Sequence, residues 1–208
     1  NYLYDVDYFM EIVSCDDKGI QRIRIVYEKG GVIAFPTDTV YGIGCDPFKS
    51  DSVSRIFELK NRDGTKKFPI LGISKSELEK IVEFNSDAEK IAESFWPGQV
   101  TLLLPIRKDI AGNIENNGKL AVRVPGNECV LSFLKYCKLI VGTSANISGE
   151  KSIFDSNELK IKLPGVDLLV DGGKIDSLGE STIIDFVNGE LKMIREGSIS
   201  KEDVEKIL

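Results

Sequence analysis

From Gly31 to Ser74 the chain reads GVIAFPTDTVYGIGCDPFKSDSVSRIFELKNRDGTKKFPILGIS, and this stretch decides both the fold class and the place of the functional site. Val32-Ile33-Ala34-Phe35 is an apolar run of strand length. It ends at Pro36, whose missing N–H and fixed φ stop a strand from continuing. An exposed polar loop at a strand end is expected next, since Thr37, Asp38, Thr39 and Tyr41 place three hydroxyls and a carboxylate within five residues. Gly42 and Gly44 let the backbone approach a ligand closely. Further on, Lys60, Arg62, Lys66 and Lys67 surround one acid, Asp63, a local charge of four minus one, or +3, in a chain of net charge −6. An isolated cationic loop on an acidic protein points to an anionic ligand. The competing reading is structural: hydroxyl-rich loops cap helices, and lysine runs are solvated surface.

Working outward, Ile20, Ile23, Val26 and Tyr27 recur at helical spacing and predict a helix over 18–29, stopped by Gly30-Gly31. Residues 1–17 read as an irregular arm or a short strand. Ser50 or Asp51 is expected to cap a helix whose core face is Val53, Ile56 and Phe57, with Lys60 and Arg62 at its cation-favouring end. Ile70–Ile73 reads as a strand. Ser74-x-x-Glu77 then opens a helix to about Glu83, and Ser86-x-x-Glu89 opens another through Ala88, Ile91, Ala92 and Phe95. Trp96-Pro97-Gly98 ends it, Trp96 and Pro97 being core and turn. Val100–Leu104 and Leu120–Val124 are strands joined by a Gly/Asn-rich connection, Gly112 to Gly118. A helix through Val130, Leu131 and Leu134 precedes strand Leu139–Val141, which delivers a second polar loop, Thr143-Ser144-Ala145-Asn146. A short helix near 156–161, a strand at Leu168–Val170, a hairpin of Thr182–Phe186 with Leu191–Arg195 around Asn188-Gly189, and a Ser200-capped final helix complete the chain. About eight strands mixed with five or six helices make an α/β chain whose sheet is not all parallel.

With 208 residues, 42% of them hydrophobic, the chain is long enough for one well-buried core, and no compositional break divides it. A single domain over 18–208 is expected behind the 1–17 arm. Cys15, Cys45, Cys129 and Cys137 form no CxxC pair and the chain has no histidine, so a Cys/His zinc site lacks ligands and reduced, structural cysteines are expected. No stretch approaches the roughly 18 to 20 apolar residues that span a membrane, which points to the cytoplasm. A pI near 4.9 argues against a broad nucleic-acid face, while a local basic cleft stays compatible.

Thr37-Asp38-Thr39-Val40-Tyr41-Gly42 followed by Lys60-x-Arg62 resembles the YrdC/Sua5 family of L-threonylcarbamoyladenylate synthases, which supply the activated intermediate for threonylcarbamoyl modification of a tRNA adenosine. Later stretches agree in order: Ser94-Phe95-Trp96-Pro97-Gly98 with Thr101, Val122-Arg123-Val124-Pro125, Thr143 to Gly149, Ser181-Thr182-Ile183-Ile184-Asp185 and Ile194-Arg195-Glu196-Gly197. The resemblance covers roughly residues 18–208. It implies a twisted, mixed parallel and antiparallel sheet with flanking helices and a concave basic cleft. The chain departs from the longer Sua5 type at Ile73, where that type carries a histidine, and at Asp63, where it carries a proline. It is therefore expected to be of the short YrdC type, without the additional C-terminal domain.

The reaction so implied joins L-threonine, bicarbonate or CO₂, and ATP, accompanied by Mg²⁺, into threonylcarbamoyl-AMP and pyrophosphate. Positioning and cationic stabilisation carry such a phosphoryl-centred step, and no histidine base is required. The resemblance places Lys60 and Arg62 as catalytic residues. It places Lys60, Arg62, Lys67, Asn146 and Arg195 at ATP, and Thr39, Arg123, Ser144 and Ser181 at threonine, with no metal held by the protein. Arginine at 123 has a physical rationale, since its fork engages a carboxylate through two N–H groups. No Gly-x-x-x-x-Gly-Lys-Ser/Thr loop is present, so ATP is held by another device. Partners downstream are tRNA and tRNA-modifying proteins, and no membrane. Two other classes compete: a non-catalytic protein binding double-stranded RNA or tRNA, or maturing ribosomes, with the same basic cleft, and a carbamoyl-transfer domain like that of hydrogenase maturation proteins.

Overall fold

A computed structural model describes residues 9–64, 67–107 and 118–208; Lys66 and most of the Gly112–Gly118 connection lie outside them. Eleven strands and seven helices occur among the described residues, and the strands divide into two sheets. The first runs β1 (Glu11–Val13), β9 (Leu168–Val170), β2 (Ile33–Phe35), β3 (Gly42–Gly44), β8 (Thr143–Ser144); the second runs β11 (Glu190–Arg195), β10 (Thr182–Val187), β5 (Val100–Pro105), β6 (Lys119–Arg123), β4 (Ile70–Gly72), β7 (Leu139–Val141). Parallel pairs (β1 with β9, β9 with β2, β10 with β5, β4 with β6) occur beside antiparallel ones in each sheet, so both sheets are mixed. The sequence pattern predicts one sheet and fewer strands. Of the three further strands, β1 falls in the segment read as an irregular arm or a short strand, and β3 and β8 are made by the polar site loops themselves, whose hydroxyl and glycine content does not read as strand.

Strand alternation sorts the core. Ile33 and Phe35 face helices α1 (Asp17–Glu28) and α5 (Glu128–Cys137), with Ile23, Tyr27, Val130 and Phe133 around them and the Phe35 and Phe133 rings 5.4 Å apart edge to face. Val32, Ala34 and Ile43 face the other way, into a core shared with Ile70, Leu102, Val122 and Ile184 of the second sheet. Such two-sided burial of a short strand is the reason β2 reads as a continuous apolar run.

Several helix starts differ from the sequence reading. Helix α2 (Ser50–Leu59) has Lys49 at its N-cap with no side-chain cap bond, so Ser50 and Asp51 fall inside the first turn. Helix α4 (Ser86–Phe95) is capped by Asn85, whose extended backbone lets its Oδ1 accept from Ala88 N at 2.8 Å. Ser74 does cap α3 (Lys75–Leu78), yet that helix stops well before Glu83 because Val82 and Glu83 are drawn to Ile106 and Pro105 at the end of β5. Helices α6 (Ser156–Lys162) and α7 (Lys201–Glu205) lie where expected, and Ser200 with Asp203 forms a complete capping box. Asn188 and Gly189 both take positive φ, which gives β10 and β11 their tight turn.

The cysteine expectation is corrected. Cys15 and Cys129 form a disulfide across 114 residues of sequence, with Cα atoms 5.8 Å apart, while Cys45 and Cys137 are free. A spacing rule built on CxxC misses this pair because the fold, not the sequence, brings the start of α1 beside the start of α5. Strand β1, in the arm, adds to the edge of the first sheet beside β9.

Candidate active site

Pro36 ends β2, and the chain then turns on Thr37. Its Oγ1 accepts from the N–H groups of Thr39 and Val40 at 3.0 and 3.2 Å and donates to the Val40 carbonyl at 2.6 Å. With that single hydroxyl proton committed, the 2.9 Å contact between the two threonine hydroxyls has Thr39 as donor. Thr37 and Thr39 are buried rather than exposed, a correction to the sequence reading. The Tyr41 hydroxyl is turned away from them, donating to Gly173 O at 2.7 Å and accepting from Gly172 N at 3.1 Å. The loop is thus fixed at both ends by its own polar groups.

Strand β3 carries this loop onto the second polar loop. Gly42 pairs with Ser144 and Ile43 with Thr143, and Ala145 N donates to Tyr41 O at 2.7 Å. Two loops a hundred residues apart in sequence therefore become adjacent rungs of one sheet.

Lys60 is the C-cap of helix α2; it is 1% exposed and is held under the second loop. Its Nζ donates to Ser144 O at 2.5 Å and Asn146 O at 2.7 Å, with Asn146 Oδ1 at 3.4 Å. Burial, then repulsion from Arg62, pulls the Lys60 pKa down to about 8, Glu180 opposing. Arg62 donates to Lys67 O at 3.1 Å with its guanidinium 5.0 Å from the Phe68 ring, and Lys67 Nζ donates to Gly64 O at 2.8 Å.

Arg123, at the end of β6, is 5% exposed. Nε donates to Gly98 O at 2.8 Å, Nη1 to Thr39 Oγ1 at 3.2 Å, and Nη2 to the Asp38 carboxylate. Burial lowers its pKa, and Asp38 works against that shift. Three of the five guanidinium N–H groups are so used, leaving one on each terminal nitrogen for a ligand.

Strands β5, β10 and β11 bring a third group alongside. Thr101 Oγ1 lies 2.9 Å from Ser181 Oγ, and Arg195 donates from Nε to Ser181 O at 2.9 Å and from Nη2 to Ser181 Oγ at 3.3 Å. Arg195 Nη1 also meets Glu180 Oε2 at 2.5 Å.

These groups surround one cleft of about 270 Å³ between the sheets. Thr39, Arg62, Lys67, Arg123, Ser144, Ser181 and Arg195 line it, seven of the nine residues singled out from the sequence. Lys60 and Asn146 lie behind the wall, where Lys60 holds the Ser144–Asn146 backbone in place. Trp96 packs edge to face on Phe84 at 5.9 Å and donates to Val100 O at 2.7 Å, a core role as expected. Thr37, Thr101 and Glu180 also line the cleft and were assigned no role from sequence. Adjacency to Ser181 was the signal available for Glu180. No group of three or more His, Cys, Asp or Glu side chains among the described residues could hold a metal ion.

A family model for Sua5, YciO and YrdC proteins, described as telomere recombination, matches residues 26–197. The threonylcarbamoyl-AMP synthase of Pyrococcus abyssi is 34% identical over 197 residues, covering 90% of this chain and 57% of that protein. The Bacillus subtilis threonylcarbamoyl-AMP synthase is 30% identical over 201 residues, covering 94% and 58%. The crystal structure of P. abyssi Sua5 complexed with L-threonine aligns with a TM-score of 0.88 at 31% identity, over 96% of this chain and 60% of that one. E. coli YciO shares the fold, with a TM-score of 0.81 at 24% identity over 91% and 96% of the two chains. The chain thus spans under two thirds of the length of the two synthases and of P. abyssi Sua5. The matched span takes in β2, β3, β8 and every cleft-lining residue named above, and the chain belongs to the Sua5/YciO/YrdC family.

Proposed function

We propose that this chain is an L-threonylcarbamoyladenylate synthase, forming threonylcarbamoyl-AMP and pyrophosphate from L-threonine, bicarbonate or CO₂, and ATP. The observation that carries this reading is the convergence, in one cleft between two sheets, of a hydroxyl and arginine group (Thr39, Arg123, Ser181) with a cation group (Arg62, Lys67, Arg195). The first suits an amino acid: the two remaining Arg123 N–H groups could take a carboxylate, and Thr39 and Ser181 offer hydroxyls. The second suits a triphosphate whose charge must be screened while a carbamate oxygen reaches the α-phosphorus and pyrophosphate leaves. The two groups meet where Arg195 donates to Ser181, and Ser144 lines the same cleft. Lys60 acts by holding that loop, and its charge adds to the field at the phosphates.

Magnesium would arrive on the triphosphate, carried by phosphate oxygens. The activity would reside in one domain of residues 18–208, with 1–17 as an arm, in the cytoplasm and upstream of tRNA-modifying proteins. There the Cys15–Cys129 bond would make stability depend on the redox poise of the compartment.

The test is pyrophosphate formation from ATP, with L-threonine and bicarbonate each omitted in turn. Release that requires all three supports the synthase; release indifferent to threonine overturns it. No helix among the described residues is long and apolar enough to cross a membrane.

A further inference from the structure

Among the described residues lining the cleft there are four cations, Arg62, Lys67, Arg123 and Arg195, and a single acid, Glu180. In a site read as holding a polyphosphate that acid is out of place by charge, yet it is well held. Its Oε2 accepts from Arg195 Nη1 at 2.5 Å and its Oε1 from Ser152 Oγ at 2.9 Å. Two oxygens bridging an arginine N–H and a serine hydroxyl reproduce the contacts that two oxygens of a phosphate group would make.

The pair is also open to exchange. The Arg195 and Glu180 side chains keep 40% and 35% of their surface, so a ligand in the cleft reaches both. Arg195 has a separate anchor on Ser181, through Nε and Nη2, so the guanidinium stays in position when the carboxylate leaves. We propose that Glu180 is an internal substitute for ligand phosphate, displaced from Arg195 when a polyphosphate binds, and that it thereby sets the affinity threshold of the site. This rests on the nucleotide reading of the cleft. A ligand carrying one charge must displace Glu180 with little return, whereas a polyphosphate reaching Arg62 and Lys67 as well recovers the cost. Glu180 so favours polyphosphates over the simple anions of the cell.

The experiment is a calorimetric titration of inorganic pyrophosphate, in magnesium-free buffer, into the wild type, Glu180→Gln, Arg195→Ala and the double variant. Glu180→Gln is expected to tighten binding by roughly three- to fivefold, the scale of a solvent-reached ion pair. Arg195→Ala is expected to weaken binding and to abolish the effect of Glu180→Gln. Tightening of the same size in the Arg195→Ala background would mean that Glu180 acts only through the general field of the cleft. Unchanged or weaker binding by Glu180→Gln would mean that it organises Arg195 for the ligand. Either result overturns the exchange. Ser152→Ala, which frees only Oε1, is a second variant expected to tighten binding by a smaller factor, and no change there counts against the proposal. Wild type that shows the expected cycle but no threonine-dependent pyrophosphate release retains the exchange while the synthase reading fails. Wild type that binds no pyrophosphate overturns both.

Discussion

Arg195, assigned to the nucleotide, and Ser181, assigned to threonine, are hydrogen-bonded to each other twice: Nε to the Ser181 carbonyl at 2.9 Å and Nη2 to its hydroxyl at 3.3 Å. A ligand that orders either residue orders the other, so ATP and L-threonine should bind with positive coupling. Titrating ATP with and without saturating L-threonine measures it. Equal ATP affinity in both would remove the link.

Arg195→Ala should weaken ATP binding or turnover by about ten- to hundredfold, the value of a charge-assisted contact. It should leave the melting temperature nearly unchanged, because 40% of the side chain and 35% of its ion-pair partner Glu180 are in solvent. Wild-type ATP affinity in the variant would take Arg195 out of the site.

Lys60 makes stability depend on alkaline pH in a defined direction. Its folded value is near 8 and its ordinary value is 10.5, so between them the unfolded chain holds more protons and stability rises with pH. The stability of the wild type minus that of Lys60→Met, from urea unfolding at several pH values, should therefore increase across this window, by about 3 kcal/mol at most. A difference that falls with pH would mean the buried ammonium is favoured over the amine.

The Cys15–Cys129 bond should contribute about 2 to 4 kcal/mol, since it closes a long loop of the unfolded chain. Denaturant midpoints with and without reductant give the value. Thiol labelling of the unfolded chain should find two groups, Cys45 and Cys137, before reduction and all four after. Four reactive thiols without reductant would contradict the pairing. In the folded protein burial raises both free thiols to about 12, so labelling there should be slow.

Salt separates the synthase from an RNA binder. A cleft that holds one triphosphate through a few short contacts loses affinity gently with ionic strength, whereas an RNA face loses orders of magnitude between about 50 and 200 mM. Parallel titrations of ATP and of a duplex RNA over that range decide the matter. Tight RNA binding with a steep slope, and no coupling between threonine and ATP, would overturn the synthase reading.

The class, most strands and the core faces were legible because Val32–Phe35, Val100–Leu104 and Leu139–Val141 are apolar runs bounded by turn residues, and period carries that information directly. Motif order likewise marked seven residues that meet in the cleft. What stayed hidden depended on contacts between distant residues. Lys60 reads as a cation at a helix end that reaches ATP, and only the third dimension reveals the carbonyls of Ser144 and Asn146 that hold its ammonium. The Asp38–Arg123 pair, the hydroxyl chain from Arg123 through Thr39 to Thr37, and the strand character of Gly42–Gly44 share that origin. Asn85 displaced Ser86 as a cap because two adjacent residues could both serve, and local sequence does not rank them.

Gly44 sits where the two sheets meet: a Cβ there would lie 1.8 Å from the Val141 carbonyl oxygen, while Val141 N donates to Cys45 O at 2.9 Å. The sheets consequently approach main chain to main chain at this point, with no room for a side chain between them. Directed evolution toward other amino acids should find its gains on the walls, at Ala121 or Thr101, where a methyl added or removed reshapes the space. At Gly44 every replacement would wedge the sheets apart, so a saturation library should return glycine alone.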